Sequence, residues 1–512
     1  MNRKRSFIAL AILFPLLTAA QSVYLPLDHW AYDYFERMHV KGLLEYTSMF
    51  PVSRIEAAAY TETLDSLAQL GRLSSLEQRR LERLKGFLWD EIEVPKKQSE
   101  REPNLVRWYG ERASFYGDAL AGFEMEFQDQ KPRQRFRPYY GGAVRGRAGS
   151  VGFYSDNRIL TEWGAGPYVQ NYDPSLGYPM NAEKDSSRAT WDTSHSYLVI
   201  DWRPLRFVAG RHQFRWGPAI RYPLMVSGHS AAFDMIMLET YLGRSRFMWF
   251  HGGLRGREEP KWFAGHRLEL RWNQWVLGIQ ESVVYGNRGM EPAYLNPVLP
   301  CLIAEHTLGD RDNIALGLDI RFRPVNRLQL HTEFFVDDLN APWDIFNDYW
   351  GNKLAWLLGG IWIDPLGIRD SDFSFEFVHI DPFVYTHHRP VNVYEHYDKG
   401  LGAQLQPNSE ALYIRWRFRP VFPLLCSVAY EKTRKGEGDR RTPHSDADGE
   451  RKRFLVGSVE TEHGLTARLD LEIRKELFLS LEVARRLISQ EGIMEGSNHQ
   501  IHSVFMSLDF DW

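Results

Sequence analysis

The sequence predicts a mainly β protein: an antiparallel transmembrane β-barrel of about 18 strands with a small N-terminal α-helical periplasmic domain. Three observations predict this fold. The chain starts with the features of an export signal, its apolar residues alternate with a period of two beyond residue 106, and its last strand ends in an aromatic residue.

The N-terminus predicts a Sec signal peptide over residues 1–20. Its first five residues include Arg3, Lys4 and Arg5, and an apolar run over residues 7–20 follows. Thr18 and Ala20 suit the −3 and −1 positions of a cleavage site. The alternative is an N-terminal membrane anchor, but this run is too short to span a bilayer as a helix.

The composition of the remaining chain favours a barrel over other exported proteins. Aromatic residues make up 14% of the chain, which suits the aromatic girdles of a membrane barrel. The mean hydropathy of −0.41 is compatible with a barrel, because alternating strands hide their lipid face from an average. A net charge of −4 gives no indication of nucleic-acid binding.

The two cysteines, Cys301 and Cys426, leave two alternatives open. An oxidising compartment permits a disulfide between them, but their sequence separation says nothing about contact. They are equally well explained as two unpaired, half-buried thiols.

Residues 21–95 read as a helical periplasmic domain of three short amphipathic helices, followed by a charged, Pro-flanked linker over residues 96–105. Ser and Thr residues followed three positions later by Glu predict capping boxes. The predicted caps and stops are Asp28 with Gly42, Ser53 and Glu56 with Gly71, and Ser74 with Glu77.

Residues 106–512 read as the barrel, because apolar and polar residues alternate in segment after segment. In residues 465–473, for example, Leu465 and Leu469 share one face while Arg468 and Asp470 share the other. A soluble sandwich and a membrane barrel both produce this alternation, so the period alone does not separate them.

The last strand favours the membrane barrel. Its apolar face ends the chain on an aromatic residue, which resembles the signal that the outer-membrane barrel-assembly machinery reads. The residues of this predicted signal are Val504, Met506, Leu508, Phe510 and Trp512. The barrel interpretation makes outer-membrane lipid and the assembly machinery partners of the chain.

Long connections are predicted on the outer side and short turns on the periplasmic side, as in other bacterial barrels. They fall near residues 155–192, 285–313, 337–353, 385–409, 432–450 and 488–500. Counting strands back from the C-terminus places the 432–450 connection on the periplasmic face, which breaks that rule. Either a strand is miscounted or this loop is an exception.

An ordered set of short motifs carries a family resemblance. The motifs occupy residues 210–218, 224–227, 233–234, 266–269, 281–285, 294–297, 305, 310–313, 335–338, 385–387, 394, 401–402 and 407–409. In this order and spacing, from about Tyr109 to Arg419, the chain resembles the capsule-assembly Wzi family. The resemblance implies a non-enzymatic outer-membrane barrel with a lectin-like role in attaching capsular or other surface polysaccharide.

The helical segment is similar to a single S-layer-homology-type unit, beginning at Asp28-His29-Trp30-Ala31-Tyr32. Such units bind cell-wall polymers, so peptidoglycan is a second candidate partner. Because these units usually occur in threes, we favour the alternative of a structural periplasmic cap.

Sugar recognition uses aromatic faces and hydrogen-bonding side chains, and predicted loops supply both. The candidate carbohydrate-binding residues are Arg211, Arg215, Trp216, Arg221, Trp163, Tyr168, Tyr172, Trp343, Tyr349 and Trp350. For the aromatic residues the alternative is an outer girdle or loop packing. For the basic segment it is a network of salt bridges in the lumen.

No enzymatic constellation stands out. His387, His388 and His396 near Glu395 and Asp398 lack a recognised metal-ligand spacing, so we predict no metal and no cofactor. The alternative function is a pore for small solutes, which would need an open lumen. Charged inward residues that can cross-link into a plug favour the binding protein. We expect a monomer, because a closed barrel leaves no edge strand.

Overall fold

Eighteen antiparallel strands close into a barrel in this computed structural model. The structure describes residues 23–92, 103–110, 112–129, 133–164, 174–182, 188–202, 204–339, 347–491 and 498–511. The strands are β1 (Ala113–Gln128), β2 (Arg133–Ala148), β3 (Val151–Gly164), β4 (Arg188–Trp202), β5 (Leu205–His212), β6 (Phe233–Leu242), β7 (Ser245–Leu254), β8 (Lys261–Trp272), β9 (Trp275–Gly286), β10 (Asn313–Val325), β11 (Leu328–Asp338), β12 (Lys353–Ile363), β13 (Ser371–Ile380), β14 (Ser409–Val421), β15 (Leu424–Lys435), β16 (Val459–Arg474), β17 (Leu477–Glu491) and β18 (His499–Asp511).

The barrel closes where β18 pairs with β1, in a register that sets Met506 opposite Met125. The predicted strand number is therefore confirmed. Val504, Met506, Leu508 and Phe510 share the outward face of β18, and Trp512 lies outside the described residues. Shorter strands are Met49–Phe50, Val106–Tyr109, Asn181–Ala182, Arg215–Trp216, Glu395–His396 and Lys399–Gly400.

Connections differ in length at the two ends of the barrel. At one end, the turn end, tight turns such as residues 273–274 and 475–476 join neighbouring strands. The long connections lie at the opposite, loop end. The connection between β15 and β16, residues 436–458, is one of these, so our placement of this loop on the periplasmic face was wrong. The exception to the loop-length rule disappears with that correction.

The helical domain docks at the turn end. It consists of α1 (Ala31–Val40), α2 (Arg54–Gln69) and α3 (Ser75–Phe87), and both predicted capping boxes are present, at Ser53 and Ser74. The predicted Asp28 cap is wrong, because Trp30 is the N-cap of α1 and makes no side-chain cap hydrogen bond. Within the described ranges, no helix is both long and apolar enough to cross a membrane.

A segment between β5 and β6, residues 213–232, folds into the lumen, and we call it the lumen segment. Its Arg215–Trp216 strand pairs with Met49–Phe50 of the helical domain. The tip of the helical domain is its Met49–Phe50 strand. This domain tip, the lumen segment and the connection after β13 pack into one apolar core. Inward side chains from β4 through β14 contribute to that core, so side chains fill this part of the lumen.

A second long connection, residues 287–312, folds back over the outer wall, and we call it the folded-back segment. It contains a fourth helix, α4 (Cys301–Leu308). Cys301 and Ala304 of α4 pack with Ala264, Val283 and Tyr285 in a small apolar cluster. The strand residues of this cluster alternate with lumen-facing ones, so they point outward, yet they are buried. Both cysteines are free thiols, so the disulfide alternative does not hold.

Candidate functional site

A cavity of about 750 Å³ lies on the lumen side of β3, β4 and β5. Its volume is in the range of small-molecule binding sites. Its lining comes from inward positions of those strands, the N-terminal residues before α1, the lumen segment and the connection after β13. The lining residues used below are Tyr24, Tyr154, Asp156, Arg158, His195, Tyr197, His212 and Lys399.

His212 and its aromatic neighbours form one wall of the cavity. The His212 ring stacks on Tyr24, with ring centroids 5.1 Å apart, and lies 4.6 Å from the Tyr197 ring. His212 is only 6% exposed, and neither ring nitrogen has a hydrogen-bond partner among the described residues. A buried polar side chain normally has a partner. Both ring nitrogens are enclosed in the cavity wall, so they donate to or accept from a bound molecule once that wall opens locally.

Charged side chains line another part of the cavity. Arg158 donates to both oxygens of Asp156, at 2.9 and 2.8 Å. His195, on β4, lies opposite Asp156 in the strand register. Lys399 adds a cation from the connection after β13. Paired charges beside aromatic faces provide the groups that recognise the hydroxyl and carboxylate groups of sugars.

Two buried carboxylates hold the lumen segment in place. Glu333 accepts from the backbone N–H groups of Ala219, at 2.9 Å, and Leu224, at 2.8 Å. Glu376 accepts from the N–H of Arg221, at 2.8 Å. Gly217 has a φ of +97°, and a Cβ there would lie 2.2 Å from the Glu333 carboxylate. These contacts fix the segment that closes one side of the cavity.

The structure disperses the predicted basic patch. Arg211 lies near the loop end of β5 and pairs with Asp234 at 2.7 Å. Arg215 is partly buried, with its guanidinium 4.3 Å from the Phe50 ring centroid. Arg221 pairs with Glu431 across the lumen at 3.2 Å, as in the salt-bridge alternative. Arg211 and Arg215 line the cavity, and Arg221 does not.

The predicted aromatic residues lie in different environments. Trp216 is fully buried, and its Nε1–H donates to the Met248 sulfur, so no sugar ring can stack on it without opening the core. Trp163 points outward and stacks on Phe136, which suits a girdle. Trp350 stacks on His444 at 3.8 Å, beside Tyr349, in the loops. Tyr168, Tyr172 and Trp343 lie outside the described residues.

The histidine and acid group near residue 396 serves loop packing. His396 Nδ1 accepts from the N–H of Arg255 at 2.9 Å, and Glu395 pairs with Arg441 at 2.8 Å. These contacts join the connections that follow β7, β13 and β15 at the loop end.

Sequence reasoning missed the lining from β3 and β4, because it assigned most of residues 155–192 to a loop. The sequence nevertheless contains a strand pattern in this region. Tyr154, Asp156 and Arg158 alternate with Phe153, Ser155 and Asn157, which is the period of a strand. No sequence signal shows that His212 lacks a partner, because this depends on the fold of the lumen segment.

Comparison with known proteins gives the following similarities. The sequence model of the family "Capsule assembly protein Wzi" matches residues 106–502. The sequence matches no curated protein. The structure is similar to Wzi of Escherichia coli, described as an outer-membrane protein involved in group 1 capsule assembly and a carbohydrate-binding β-barrel. The TM-score is 0.59 and the identity 12%, over 95% of this chain and 99% of that one.

Two further solved structures are similar at lower TM-scores. OpdK of Pseudomonas aeruginosa, solved with vanillate, has a TM-score of 0.46 and 10% identity, over 78% of this chain and 99% of that one. OccAB1 of Acinetobacter baumannii has a TM-score of 0.46 and 9% identity, over 78% of this chain and 96% of that one.

Proposed function

The chain belongs to the capsule assembly protein Wzi family, and from this premise we propose that it binds surface or capsular polysaccharide at the cavity beside His212. Its closed barrel with an apolar outward face is the architecture of outer-membrane proteins. Binding there retains the polymer on the cell surface and involves no chemical step.

One observation carries the choice of site. His212 is buried in the cavity wall with both ring nitrogens unpartnered among the described residues. An unsatisfied buried polar group costs about 1–3 kcal/mol, and a bound hydroxyl would remove that cost. Aromatic neighbours and the Asp156–Arg158 pair supply further contacts for a sugar.

The pore alternative receives less support from the lumen. The apolar core spans inward positions from β4 to β14, where a water-filled channel would need polar walls. Inward charges on the remaining strands are half-exposed, including Arg468 and Glu482, so water reaches that part of the lumen. Conductance in planar bilayers measures whether this water forms a path.

The same proposal includes the export of the chain, the assembly of its barrel and the role of its helical domain. Residues 1–20 are removed during export, and the strand ending at Trp512 is read by the barrel-assembly machinery. The helical domain acts as a periplasmic cap and works within a monomeric barrel. A test for peptidoglycan binding is co-sedimentation of the full chain with purified cell walls.

The first experiment compares cells with and without the gene. Cell-attached and medium-released polysaccharide are quantified, and the purified barrel is tested for direct binding to the released polymer. We expect loss of attached polymer with unchanged total synthesis, together with direct binding. Unchanged attachment and no binding would rule out the proposed function.

A paired substitution tests the site itself. His212→Phe keeps the ring stack on Tyr24 but removes both nitrogens, so binding of the polymer should weaken by about tenfold or more. His502→Phe, an exposed position on β18, is the matched control and should bind like the wild type. Equal affinity of all three proteins would place the site elsewhere.

A further inference from the structure

The folded-back segment covers three side chains of metal-ligating types. His266 lies on β8, Glu281 lies opposite it on β9, and Cys301 begins α4. One ligand atom of each residue lies within 4.8 Å of the others. His266 is 8% exposed and Cys301 is 1% exposed, so the group is enclosed between the outer wall and the helix.

Distances within this group match those between the ligands of one ion. His266 Nδ1 lies 3.0 Å from Glu281 Oε1 and 3.7 Å from Cys301 Sγ. Zinc–ligand bonds of about 2.0 Å to nitrogen and oxygen and about 2.3 Å to sulfur give tetrahedral ligand separations of roughly 3.3 and 3.6 Å. Small side-chain shifts therefore bring all three atoms to bonding distance of a common point.

The backbone already orients the carboxylate. Glu281 Oε1 accepts from the N–H of Cys301 at 2.9 Å, and Oε2 accepts from the N–H of Leu302 at 3.4 Å. Hydrogen bonds of this kind commonly fix a ligating carboxylate in metal sites. The Glu281 carboxylate and the Cys301 sulfur both converge on His266 Nδ1, although a single ring proton can serve only one acceptor well.

We propose that His266, Glu281 and Cys301 bind a divalent cation of the zinc class, which fastens the folded-back segment to the outer wall of the barrel. Nitrogen, oxygen and sulfur ligands together select zinc-like ions over calcium or magnesium, which prefer oxygen alone. Three protein ligands leave a fourth tetrahedral position for water. The site is separate from the lumen cavity and independent of polysaccharide binding.

Cobalt(II) is the probe, because its bond to a thiolate produces an intense near-ultraviolet absorption. The purified full-length barrel in detergent, freed of metal by a chelator, is titrated with cobalt chloride. We expect one cobalt ion per chain with a thiolate absorption band, which zinc then abolishes by displacement. Cys301→Ser should remove the band and weaken binding by about tenfold or more.

The second cysteine provides a matched control. Cys426 points outward on β15 and belongs to no such group among the described residues, so Cys426→Ser should keep the full band. In this variant Cys301 is the remaining thiol, and zinc should slow its alkylation by about tenfold or more. Absence of the band in the wild type, its survival in Cys301→Ser, or alkylation unaffected by zinc would each overturn the proposal.

Discussion

At the scale of single residues, buried carboxylates in the lumen mainly accept hydrogen bonds from the lumen segment. Glu333 and Glu376 are both almost fully buried and accept backbone N–H groups of the lumen segment. Removing one such acceptor leaves an N–H group buried without a partner, which costs more than the hydrogen bond itself contributes. The order of the lumen segment therefore depends on these two carboxylates.

Glu333→Gln should loosen the lumen segment. An amide presents one acceptor oxygen, so the N–H of Ala219 or of Leu224 loses its acceptor, at a cost of about 2 kcal/mol. We expect amide hydrogen exchange of residues 217–226 to accelerate by ~30-fold. Glu482→Gln, at a half-exposed lumen position, is the control and should leave those amides unchanged. Equal exchange in Glu333→Gln and wild type would contradict the acceptor role.

His39 of α1 predicts a pH dependence of the helical domain. Burial, with the nearby Arg321 cation, lowers the pKa of His39 from 6.5 to about 4. Between these values the unfolded chain binds a proton that the folded domain does not, so stability falls as the pH drops through that window. The loss approaches about 3 kcal/mol at the lower end.

The measurement is amide hydrogen exchange of α1–α3 at several pH values between 7 and 4, corrected for intrinsic exchange rates. Local stability should decline through this window in the wild type. The decline should be much smaller in His39→Gln, whatever that variant's absolute stability. His502→Gln should keep the wild-type slope, and a slope that survives in His39→Gln would exclude this residue as the cause.

At the scale of elements, sequence patterns predict those features that depend on residues close together in the chain. The capping boxes at Ser53 and Ser74 depend on residues three positions apart, and both are present. Trp216 was predicted as a binding residue because its segment is basic, aromatic and turn-rich. Its burial depends on contacts with Met49 and Met248, which are far away in the sequence. Sequence pattern alone does not reveal such contacts.

Strand length explains the misplaced loop. β16 has 16 residues and β17 has 15, whereas about 9–11 residues suffice to span the membrane. Alternation therefore does not show whether a long stretch is one strand or two, and one extra strand inverts every loop before it. Helix α4 was missed for a different reason, because eight residues within a loop give only a weak helical period.

The folded-back segment predicts a lipid contact outside the strands. Val298 is 84% exposed and Ile303 is 56% exposed, and both belong to a segment that lies on the outward apolar face. A nitroxide on Val298→Cys, with Cys301→Ser and Cys426→Ser in the background, should be more accessible to oxygen than to a water-soluble nickel complex in lipid vesicles. The same label at Leu70→Cys, an exposed position directly after α2, should show the reverse. Preferential access of nickel to residue 298 would exclude a lipid contact.

At the scale of the whole molecule, the helical domain and barrel are joined by charge pairs at the turn end. Arg83 of α3 pairs with Glu472 at 2.8 Å, and Asp33 of α1 pairs with Arg417 at 2.6 Å. The domain tip then reaches the lumen segment through its Met49–Phe50 strand. Docking of the helical domain therefore places the strand that pairs with the lumen segment, which couples docking to closure of the lumen.

Arg37 is the residue where this coupling is tested most directly. Its guanidinium donates to Glu77 of α3 at 2.8 Å, and to Asp364 and the Ser371 carbonyl of the barrel at 2.6 and 3.0 Å. Arg37→Met leaves Asp364 buried without this cation, whereas Glu77 keeps its pair with Lys41 at 2.7 Å. Breaking a buried pair in this way costs about 3–5 kcal/mol. We expect the domain to undock, which exposes α1–α3 to protease and raises the conductance of the barrel in planar bilayers.

Lys85→Met is the matched control, because Lys85 pairs with Asp65 and Glu82 inside the helical domain. It should leave both protease resistance and conductance at wild-type values. Protease sensitivity without a rise in conductance in Arg37→Met would separate docking from closure and would show that the lumen segment closes the barrel by itself. A rise in both quantities would show that the domain is part of the plug, because its tip is the strand partner that Arg215 and Trp216 lose on undocking.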